Sequence, residues 1–354
     1  EVTDTYHGTA VVDPYRYLER ADNPEVQKWM KAQADYTRVA LDRIPGRAKL
    51  LARINELSEG APNVFKLQMR GNRLFYMKTE PGSPAARLYT RESLAAPEHL
   101  LIDPNEAVPS KRGAIDYYRP SPDGRLVAYG LSEGGSEASV LKIREVLTGK
   151  DQALSIDRVI MGDGVLWHAD GKSFFYNRLQ ATTPGERGKY WLASRAYRHV
   201  LGSNPASDVA LIGHGMPNSK DLVETDIPLV RLAEGGTLLL AEIRHGDARE
   251  RSYFSAPLAQ ANGAPQWRRI ASAADQVIEA AAYGDELYLL SEKDAPRGRI
   301  LQTSLAKGTA AAAKVVIAPS DFVIKSFVVA QDALYLREMT GGVDLLQRVA
   351  VTRG

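Results

Sequence analysis

The chain has 354 residues, enough for about two domains, and its 44% apolar and 25% charged residues are ordinary for a globular protein. Its 45 basic and 43 acidic residues nearly balance, so the net charge gives no support for nucleic acid binding. The absence of cysteine excludes disulfides, thiolate metal sites and a cysteine nucleophile. Because no apolar run reaches about 18 residues, we expect no membrane helix. A chain without cysteine is compatible with both the cytoplasm and the periplasm, so the compartment stays undecided between them.

The first 60 residues predict two helices. Asn23-Pro24-Glu25 has the order of an N-cap, a proline at the first helical position and an acidic first turn. Apolar residues then recur at steps of three and four from Val26 to Leu41, which indicates one face of an amphipathic helix. Pro45-Gly46 interrupts the pattern, and a second, shorter helix is expected to end near Ser58.

Beyond Pro62 the chain predicts short β-strands separated by Gly, Asp, Asn and Pro turns. One pattern recurs, in which a glycine or acidic turn precedes a strand that carries leucine or an aromatic residue. The turns lie near residues 71, 124, 171, 236, 284 and 332, at steps of 53, 47, 65, 48 and 48 residues. The long step contains Ala181 to Leu192, which we interpret as an inserted surface loop.

A period near 50 with several strands in each repeat is typical of β-propeller blades. One four-stranded blade cannot cover both of its faces, and radial stacking of blades covers them. The period therefore predicts six four-stranded antiparallel blades over residues 61–354, after a helical segment at 1–60. A pair of β-sandwiches with coincidental Asp-Gly hairpins is the alternative.

Several strings of residues carry a resemblance to a known family. Asp13-Pro14-Tyr15-Arg16-Tyr17-Leu18-Glu19, followed by the Asn23 cap and its helix, resembles the opening of the prolyl oligopeptidase family of serine peptidases. Tyr118 to Gly124 and Val165 to Asn177 resemble the second and third blades of that family. The resemblance extends over the whole chain and is weakest after residue 250.

The resemblance implies a fold and an activity. The family has a helical N-terminal segment, a seven-bladed propeller and a C-terminal α/β-hydrolase domain on which the segment packs. This chain would then supply the segment and six of the seven blades. The seventh blade, the hydrolase domain and its catalytic Ser-His-Asp triad are expected downstream of Gly354.

No catalytic signature is found in the sequence itself. The nearest string to the G-x-S-x-G nucleophile elbow surrounds Ser136, but it lacks the second glycine and precedes a predicted strand, so we interpret Ser136 as a turn residue. The six histidines show no metal-ligand spacing, and we interpret His168 as solvated beside its Asp-Gly turn. Gly213-His214-Gly215 is too short for a phosphate loop. We therefore predict no metal, no organic cofactor and no catalytic residue.

Two residues are candidates for contact with substrate. The resemblance aligns Arg244 with a family arginine that projects from the propeller toward the peptide, where it would bind a carbonyl or an acidic group. It aligns Ile227 with an apolar residue that contacts an upstream side chain of the substrate, and places Met161 near a third such contact. The alternatives are a surface arginine and a core isoleucine.

The predicted function is the non-catalytic N-terminal and propeller portion of a serine endopeptidase that cleaves short peptides after proline. The propeller would admit short peptides and exclude folded proteins. Expected partners are proline-containing peptides and the C-terminal hydrolase domain, with no nucleic acid and no membrane. One alternative is a free-standing propeller that binds a peptide or protein without catalysis. Another is a relative that cleaves after basic residues.

Overall fold

The computed structural model describes residues 1–58, 61–83, 85–160 and 165–351. The chain forms two units. The first contains Glu1–Asn63, Thr79–Pro84 and Thr182–Tyr190, and the second contains Val64–Lys78, Ala85–Ala181 and Trp191–Gly354. Over the described ranges, no helix combines the length and the apolar character that crossing a membrane requires. The same ranges contain no cluster of three or more potential metal ligands.

The first unit opens with a hairpin of β1 (Val2–Tyr6) and β2 (Thr9–Asp13), which the sequence analysis missed. A 3-10 turn at Arg16–Glu19 follows. Asp13 stabilises this turn, because its carboxylate accepts from the Tyr15 N–H at 2.8 Å and from Arg16 Nε at 2.9 Å. Arg16 also pairs with Asp4 of β1, so it ties the hairpin to the turn.

Two helices complete this segment, α1 (Pro24–Asp42) and α2 (Arg47–Ser58). Asn23 caps α1 by accepting from the Glu25 N–H at 2.8 Å, which confirms the predicted N-cap and proline start. Val26 is the one buried residue of α1, and α2 has none. Trp29, Met30 and Tyr36 are therefore exposed, at 45%, 51% and 74%. The apolar stripe predicted from the sequence exists, but it is uncovered.

Six antiparallel sheets follow, and each is a meander in which consecutive strands pair. The strands of the first three are β3 (Asn63–Arg70), β4 (Arg73–Thr79), β5 (Arg87–Arg91) and β6 (His99–Ile102); β7 (Gly113–Pro120), β8 (Leu126–Glu133), β9 (Val140–Glu145) and β10 (Asp151–Ile156); and β11 (Val165–Trp167), β12 (Ser173–Arg178), β13 (Arg195–Val200) and β14 (Val209–Gly213). Those of the last three are β15 (Asp226–Leu232), β16 (Leu238–His245), β17 (Arg251–Pro257) and β18 (Arg268–Ala271); β19 (Val277–Tyr283), β20 (Glu286–Ser291), β21 (Arg299–Ser304) and β22 (Lys314–Ile317); and β23 (Val323–Val329), β24 (Leu334–Thr340) and β25 (Val343–Val349). Five further 3-10 turns lie at Pro184–Lys189, Pro205–Ser207, Leu258–Gln260, Ala273–Asp275 and Ala310–Ala312.

These sheets are the six blades of a β-propeller, which confirms the predicted fold class and rules out the β-sandwich alternative. The prediction of four strands in every blade is wrong for the sixth, which has three strands within the described residues. The predicted insertion at residues 181–192 joins β12 to β13 and contains the 3-10 turn Pro184–Lys189.

The core of the propeller lies between consecutive blades. Five clusters of buried apolar side chains are present, and each combines residues of two neighbouring sheets. Adjacent residues of one strand therefore serve different interfaces. Tyr118 belongs to the cluster between blades 1 and 2, whereas Tyr117 belongs to the cluster between blades 2 and 3. This is the strand alternation expected when a sheet is covered on both faces.

Hydrogen bonds from side chains to backbone carbonyls also join neighbouring blades. The donors and acceptors are Gln68 Nε2 to Tyr118 O at 3.2 Å, Trp167 Nε1 to Arg119 O at 2.9 Å, Asn177 Nδ2 to Pro228 O at 2.8 Å and Arg231 Nη2 to Ala280 O at 2.5 Å. Each link spans about one repeat of the sequence, so it fixes one blade against the next.

The recurring turns join the first and second strands of each blade, as the period predicted, and those of blades 1–5 contain glycine. These glycines permit close approach between blades. A β-carbon at Gly71 would lie 2.0 Å from the carbonyl oxygen of Asp123, in the equivalent turn of the next blade. In blades 4 and 5, the Gly284 N–H donates to Glu234 O at 2.7 Å. The turns are thus contacts between repeats as well as chain reversals.

We predict that Gly71→Ala destabilises the protein more than Gly341→Ala does. The two glycines have φ of +54° and +55°, so alanine is strained to the same extent at each. Only Gly71 faces a neighbouring backbone, whereas no atom lies within 4 Å of a β-carbon at Gly341. The difference in free energy of unfolding in urea should be about 1–3 kcal/mol, the usual cost of overpacking. Equal losses for the two variants would contradict the contact between turns.

A second repeated feature is a hydrogen bond that links the second strand of a blade to a carboxylate in or next to its fourth strand. In blades 1–3 a tyrosine hydroxyl donates to a carboxylate, from Tyr76 to Glu98 at 2.6 Å, Tyr129 to Asp151 at 2.9 Å and Tyr176 to Asp208 at 2.8 Å. Lys78 Nζ also donates to Glu98, at 2.6 Å. Hydrogen bonds from Lys78 and then Tyr76 lower the pKa of the Glu98 carboxyl from 4.5 to about 2.

This pKa shift predicts acid sensitivity in blade 1. A carboxyl with a lowered pKa contributes stability above its unfolded pKa, and this contribution is lost as the pH falls from 4.5 toward 2. Glu98→Gln should therefore lower the urea midpoint at pH 7 and reduce the further loss of stability below pH 4.5. Glu106→Gln, at an exposed residue paired with Lys111, is the matched control and should change neither quantity. Parallel pH profiles for wild type and Glu98→Gln would exclude the proposed contribution.

Candidate functional site

Both sequence-predicted contact residues lie at one end of blade 4. Ile227 is the second residue of β15, and Arg244 is the penultimate residue of β16. The register pairs Ile227 with Arg244 and Arg244 with Arg251 of β17. Paired residues of antiparallel strands project from the same face. The three side chains therefore form one row across the blade, next to the turn between β16 and β17.

A buried carboxylate holds the arginine side chains of this face. Glu242 lies two residues before Arg244 and its side chain is 5% exposed. Its Oε1 accepts from Arg244 Nε at 2.8 Å and from Arg251 Nη1 at 2.7 Å. Arg231 of β15 places Nη1 3.7 Å from the other oxygen, Oε2. We call Arg231, Glu242, Arg244 and Arg251 the Glu242 cluster.

The Glu242 cluster faces blade 5. Arg231 donates to Ala280 O of β19, and Tyr253, which pairs with Glu242 in the register, packs in the apolar cluster between blades 4 and 5. Burial raises the pKa of Glu279, on the same strand as Ala280, while Arg251 and Arg231 partly oppose that rise. The Arg244 and Arg251 side chains are 30% and 29% exposed, so each is partly accessible to solvent while it donates to Glu242.

The opposite face of the same strands holds a chain of three polar residues. His245 Nδ1 lies 2.8 Å from Asp226 Oδ1, and His245 Nε2 lies 2.9 Å from Ser252 Oγ. Asp226 Oδ2 also accepts from the Val223 N–H at 2.9 Å. The order serine, histidine, aspartate is that of a hydrolase triad, but Ser252 is 7% exposed and lies in a strand. A nucleophile requires an exposed turn, so we interpret the chain as a brace across β15, β16 and β17.

This brace predicts a structural effect for Ser252. Ser252→Ala should lower the free energy of unfolding by about 1 kcal/mol, because it removes one buried hydrogen bond to His245. Ser136→Ala is the matched control, since Ser136 lies exposed in the turn between β8 and β9 and should lose almost nothing. Both free energies are read from urea unfolding. A Ser252→Ala variant as stable as Ser136→Ala would exclude the brace.

The remaining sequence candidates have plain structural roles. Ser136 lies in a turn followed by β9, which confirms its interpretation as a turn residue. The solvated position expected for His168 is wrong, because its side chain is 16% exposed and Nδ1 accepts from the Asp170 N–H at 3.2 Å. His214 Nδ1 lies 2.8 Å from Leu222 O, so Gly213-His214-Gly215 is a braced loop. Met161 lies outside the described residues.

Sequence reasoning missed Glu242, Arg231 and Arg251 as a group. The alternation of β16 carries a usable signal, because Leu238, Leu240 and Glu242 occupy the same face of a strand whose residues are largely buried. A glutamate on that face needs cationic partners. Finding Arg251 required the length of the β16–β17 turn, which sets the register.

The comparisons with known proteins agree with this architecture. The chain matches the family model described as prolyl oligopeptidase, N-terminal beta-propeller domain, over residues 1–354. It is 26% identical over 329 residues to a prolyl endopeptidase of Elizabethkingia meningoseptica, covering 89% of this chain and 43% of that protein. It is 24% identical over 328 residues to prolyl oligopeptidase A of Galerina marginata, covering 84% and 43% of the two chains.

Solved structures show the same fold. A structure from a study of two prolyl endopeptidases superposes with a TM-score of 0.83 at 26% identity, over 99% of this chain and 50% of the other. Prolyl oligopeptidase B of Galerina marginata, bound to a 35-residue substrate, superposes with a TM-score of 0.76 at 18% identity, over 99% of this chain and 53% of that one. This chain belongs to the prolyl oligopeptidase family, as its N-terminal segment and propeller. It spans about half the length of the relatives it matches.

Proposed function

We propose that this chain is the substrate-admitting portion of a prolyl endopeptidase, and that a peptide contacts it through Arg244 and Ile227. The observation that carries the proposal is the row these residues form at one end of blade 4, with the guanidinium anchored on buried Glu242. Because Glu242 already orders the Arg244 side chain through Nε, a peptide carbonyl or carboxylate would bind it with little further loss of side-chain entropy. Ile227 adds an apolar surface beside it.

The proposed partner of the first unit is a C-terminal α/β-hydrolase domain. The support is the apolar surface of α1 and α2, whose exposed residues include Trp29, Met30 and Leu50. Helices of 19 and 12 residues gain most of their stability from packing of their apolar face. A domain laid against this face would supply that packing, and the relatives that this chain matches are about twice its length.

A further blade is proposed for the same reason. Apolar side chains are exposed on β3, at Val64, Leu67 and Met69, and on the face of blade 6 that points away from blade 5, at Val328 and Leu346. In the first five interfaces such faces are covered by a neighbouring sheet. A seventh blade between blades 6 and 1 would cover both sets. The propeller would then act as a filter that admits short peptides to the hydrolase domain and excludes folded proteins.

The activity is tested on the full-length polypeptide that carries this propeller. We expect it to hydrolyse a benzyloxycarbonyl-Gly-Pro chromogenic amide and to cleave a proline-containing peptide within a folded protein poorly. A matched amide with arginine in place of proline tests cleavage after basic residues. Hydrolysis of the arginine substrate alone would replace the proline specificity with the basic one, and hydrolysis of neither would contradict the peptidase function.

We predict that Arg244→Ala weakens catalysis on peptides that extend upstream of the proline. The loss in kcat/KM should correspond to about 1–3 kcal/mol of transition-state binding, the range for a hydrogen bond that involves a charged group. Arg125→Ala is the control, because Arg125 is an exposed arginine paired with Asp123 in the turn between β7 and β8. Unchanged kcat/KM for every peptide tested would leave Arg244 without a role in substrate binding.

A further inference from the structure

In four blades the third strand begins with an arginine. These residues are Arg87 of β5, Arg195 of β13, Arg251 of β17 and Arg299 of β21. In blade 1, Arg87 Nε donates to Asp103, which directly follows β6, at 2.6 Å. In blade 4, Arg251 Nη1 donates to Glu242 at 2.7 Å. This position of a blade can therefore hold a pair of guanidinium and carboxylate.

Arg299 of blade 5 differs from these two arginines. It is half-buried, and its Nε atom is buried without a hydrogen-bond partner among residues 1–58, 61–83, 85–160 and 165–351. Arg195 of blade 3 is exposed, so water can satisfy its guanidinium. A buried N–H without an acceptor is unfavourable, and more so when it belongs to a charged group. Arg299 therefore has a donor for which the described part of the chain supplies no acceptor.

A cavity of about 270 Å³ adjoins Arg299. Lys293, in the turn between β20 and β21, lines it too, and its ammonium forms no ion pair within the described ranges. Asp275 also lines the cavity, but its Oδ2 already accepts from the N–H and the hydroxyl of Ser272, at 2.8 and 2.9 Å. Two cationic side chains and one engaged carboxylate leave a net positive lining, which favours an anionic ligand.

Much of the remaining lining is apolar. It comes from Leu301 of β21, Val315 of β22 and the alanines at 310, 311 and 313. An inorganic oxyanion would leave these side chains without contact. A carboxylate offers two oxygens to the Nε and Nη donors of one guanidinium, and an aliphatic group attached to it would lie against Leu301 and Val315. The lining thus suits a carboxylate that carries a short aliphatic chain.

We propose that this cavity of blade 5 is a binding site for a small aliphatic carboxylate, which Arg299 holds through Nε and one Nη and which Lys293 attracts through its ammonium. The ligand takes the place in blade 5 that Asp103 has beside Arg87 in blade 1. The proposal does not depend on peptide contact at Arg244, because Arg244 does not line this cavity.

The test measures binding of butyrate to the full-length polypeptide that carries this propeller. Butyramide is a neutral analogue of the same size, and isothermal titration at constant ionic strength should show it to bind at least about 10-fold more weakly, because it lacks the charge. Butyrate should also raise the melting temperature, since a ligand of the folded state stabilises that state. Equal affinities for butyrate and butyramide would overturn the proposal. Binding of inorganic phosphate as tight as that of butyrate would overturn the choice of a carboxylate.

Variants place the binding at blade 5. Arg299→Gln should weaken butyrate binding about 10-fold or more, because it removes both the charge and the planar fork. Arg195→Gln is the matched control, since Arg195 begins the third strand of blade 3 and is exposed, and it should change the affinity less than about 2-fold. Lys293→Gln should weaken binding about 2- to 3-fold, as expected for an exposed cation. Equal effects of Arg299→Gln and Arg195→Gln would overturn the proposal.

A thermal melt of each variant identifies loss of folding. If Arg299→Gln does not fold, Arg299→Lys decides the question, because it keeps the charge but lacks the fork that binds both oxygens. We expect Arg299→Lys to bind butyrate several-fold more weakly than the wild type does. Binding as tight as that of the wild type would overturn the proposed contact.

Discussion

Every part of this propeller depends on the need of a β-sheet to cover both of its faces. Five apolar clusters lie between six consecutive sheets, so each interior sheet has a partner on either side. The same requirement explains the finer features. Glycine in the recurring turns lets the backbones of neighbouring blades approach, as Gly71 and Asp123 do, and side chains such as Trp167 donate to a carbonyl of the adjacent blade. Neighbouring repeats are therefore joined by apolar packing in the middle and by hydrogen bonds near the inner strands and turns.

The Glu242 cluster is an exception inside this apolar arrangement. A buried carboxylate is costly unless it is paired and hydrogen-bonded, and Glu242 has three arginines from three strands of one blade around it. Replacement of such a group by apolar residues is often neutral or stabilising in other proteins. The cluster's position at a strand end, with the Arg244 and Arg251 side chains partly exposed, is the reason the contact with a peptide is proposed there.

The fold could be predicted from the sequence because each repeat carries its own local signals for turns and strands. The glycine or acidic turns and the strands after them recur near every 50 residues, and the Asn23 cap and Pro24 mark the start of α1 without reference to the rest of the chain. The β1–β2 hairpin turns at His7-Gly8, where both φ angles are positive, but it stands outside the repeat and was missed. The site could be predicted only at Arg244 and Ile227, by resemblance. Arg251 lies beside Arg244 because the length of the β16–β17 turn sets the register of these strands. Glu242 is buried because blade 5 packs against this face. Neither the register nor the packing can be read from a local sequence pattern.

The two faces of β16 show how this packing shapes the site. Successive residues point in opposite directions, so Arg244 joins the Glu242 cluster toward blade 5, while His245 lies on the face toward blade 3 between Asp226 and Ser252. A hydrogen-bonded serine, histidine and aspartate suggest catalysis only where the hydroxyl is accessible, and Ser252 is nearly buried. The same three residues come from β15, β16 and β17, which also carry Ile227, Arg244 and Arg251. The brace on one face therefore holds together the three strands whose other face carries the arginines of the Glu242 cluster.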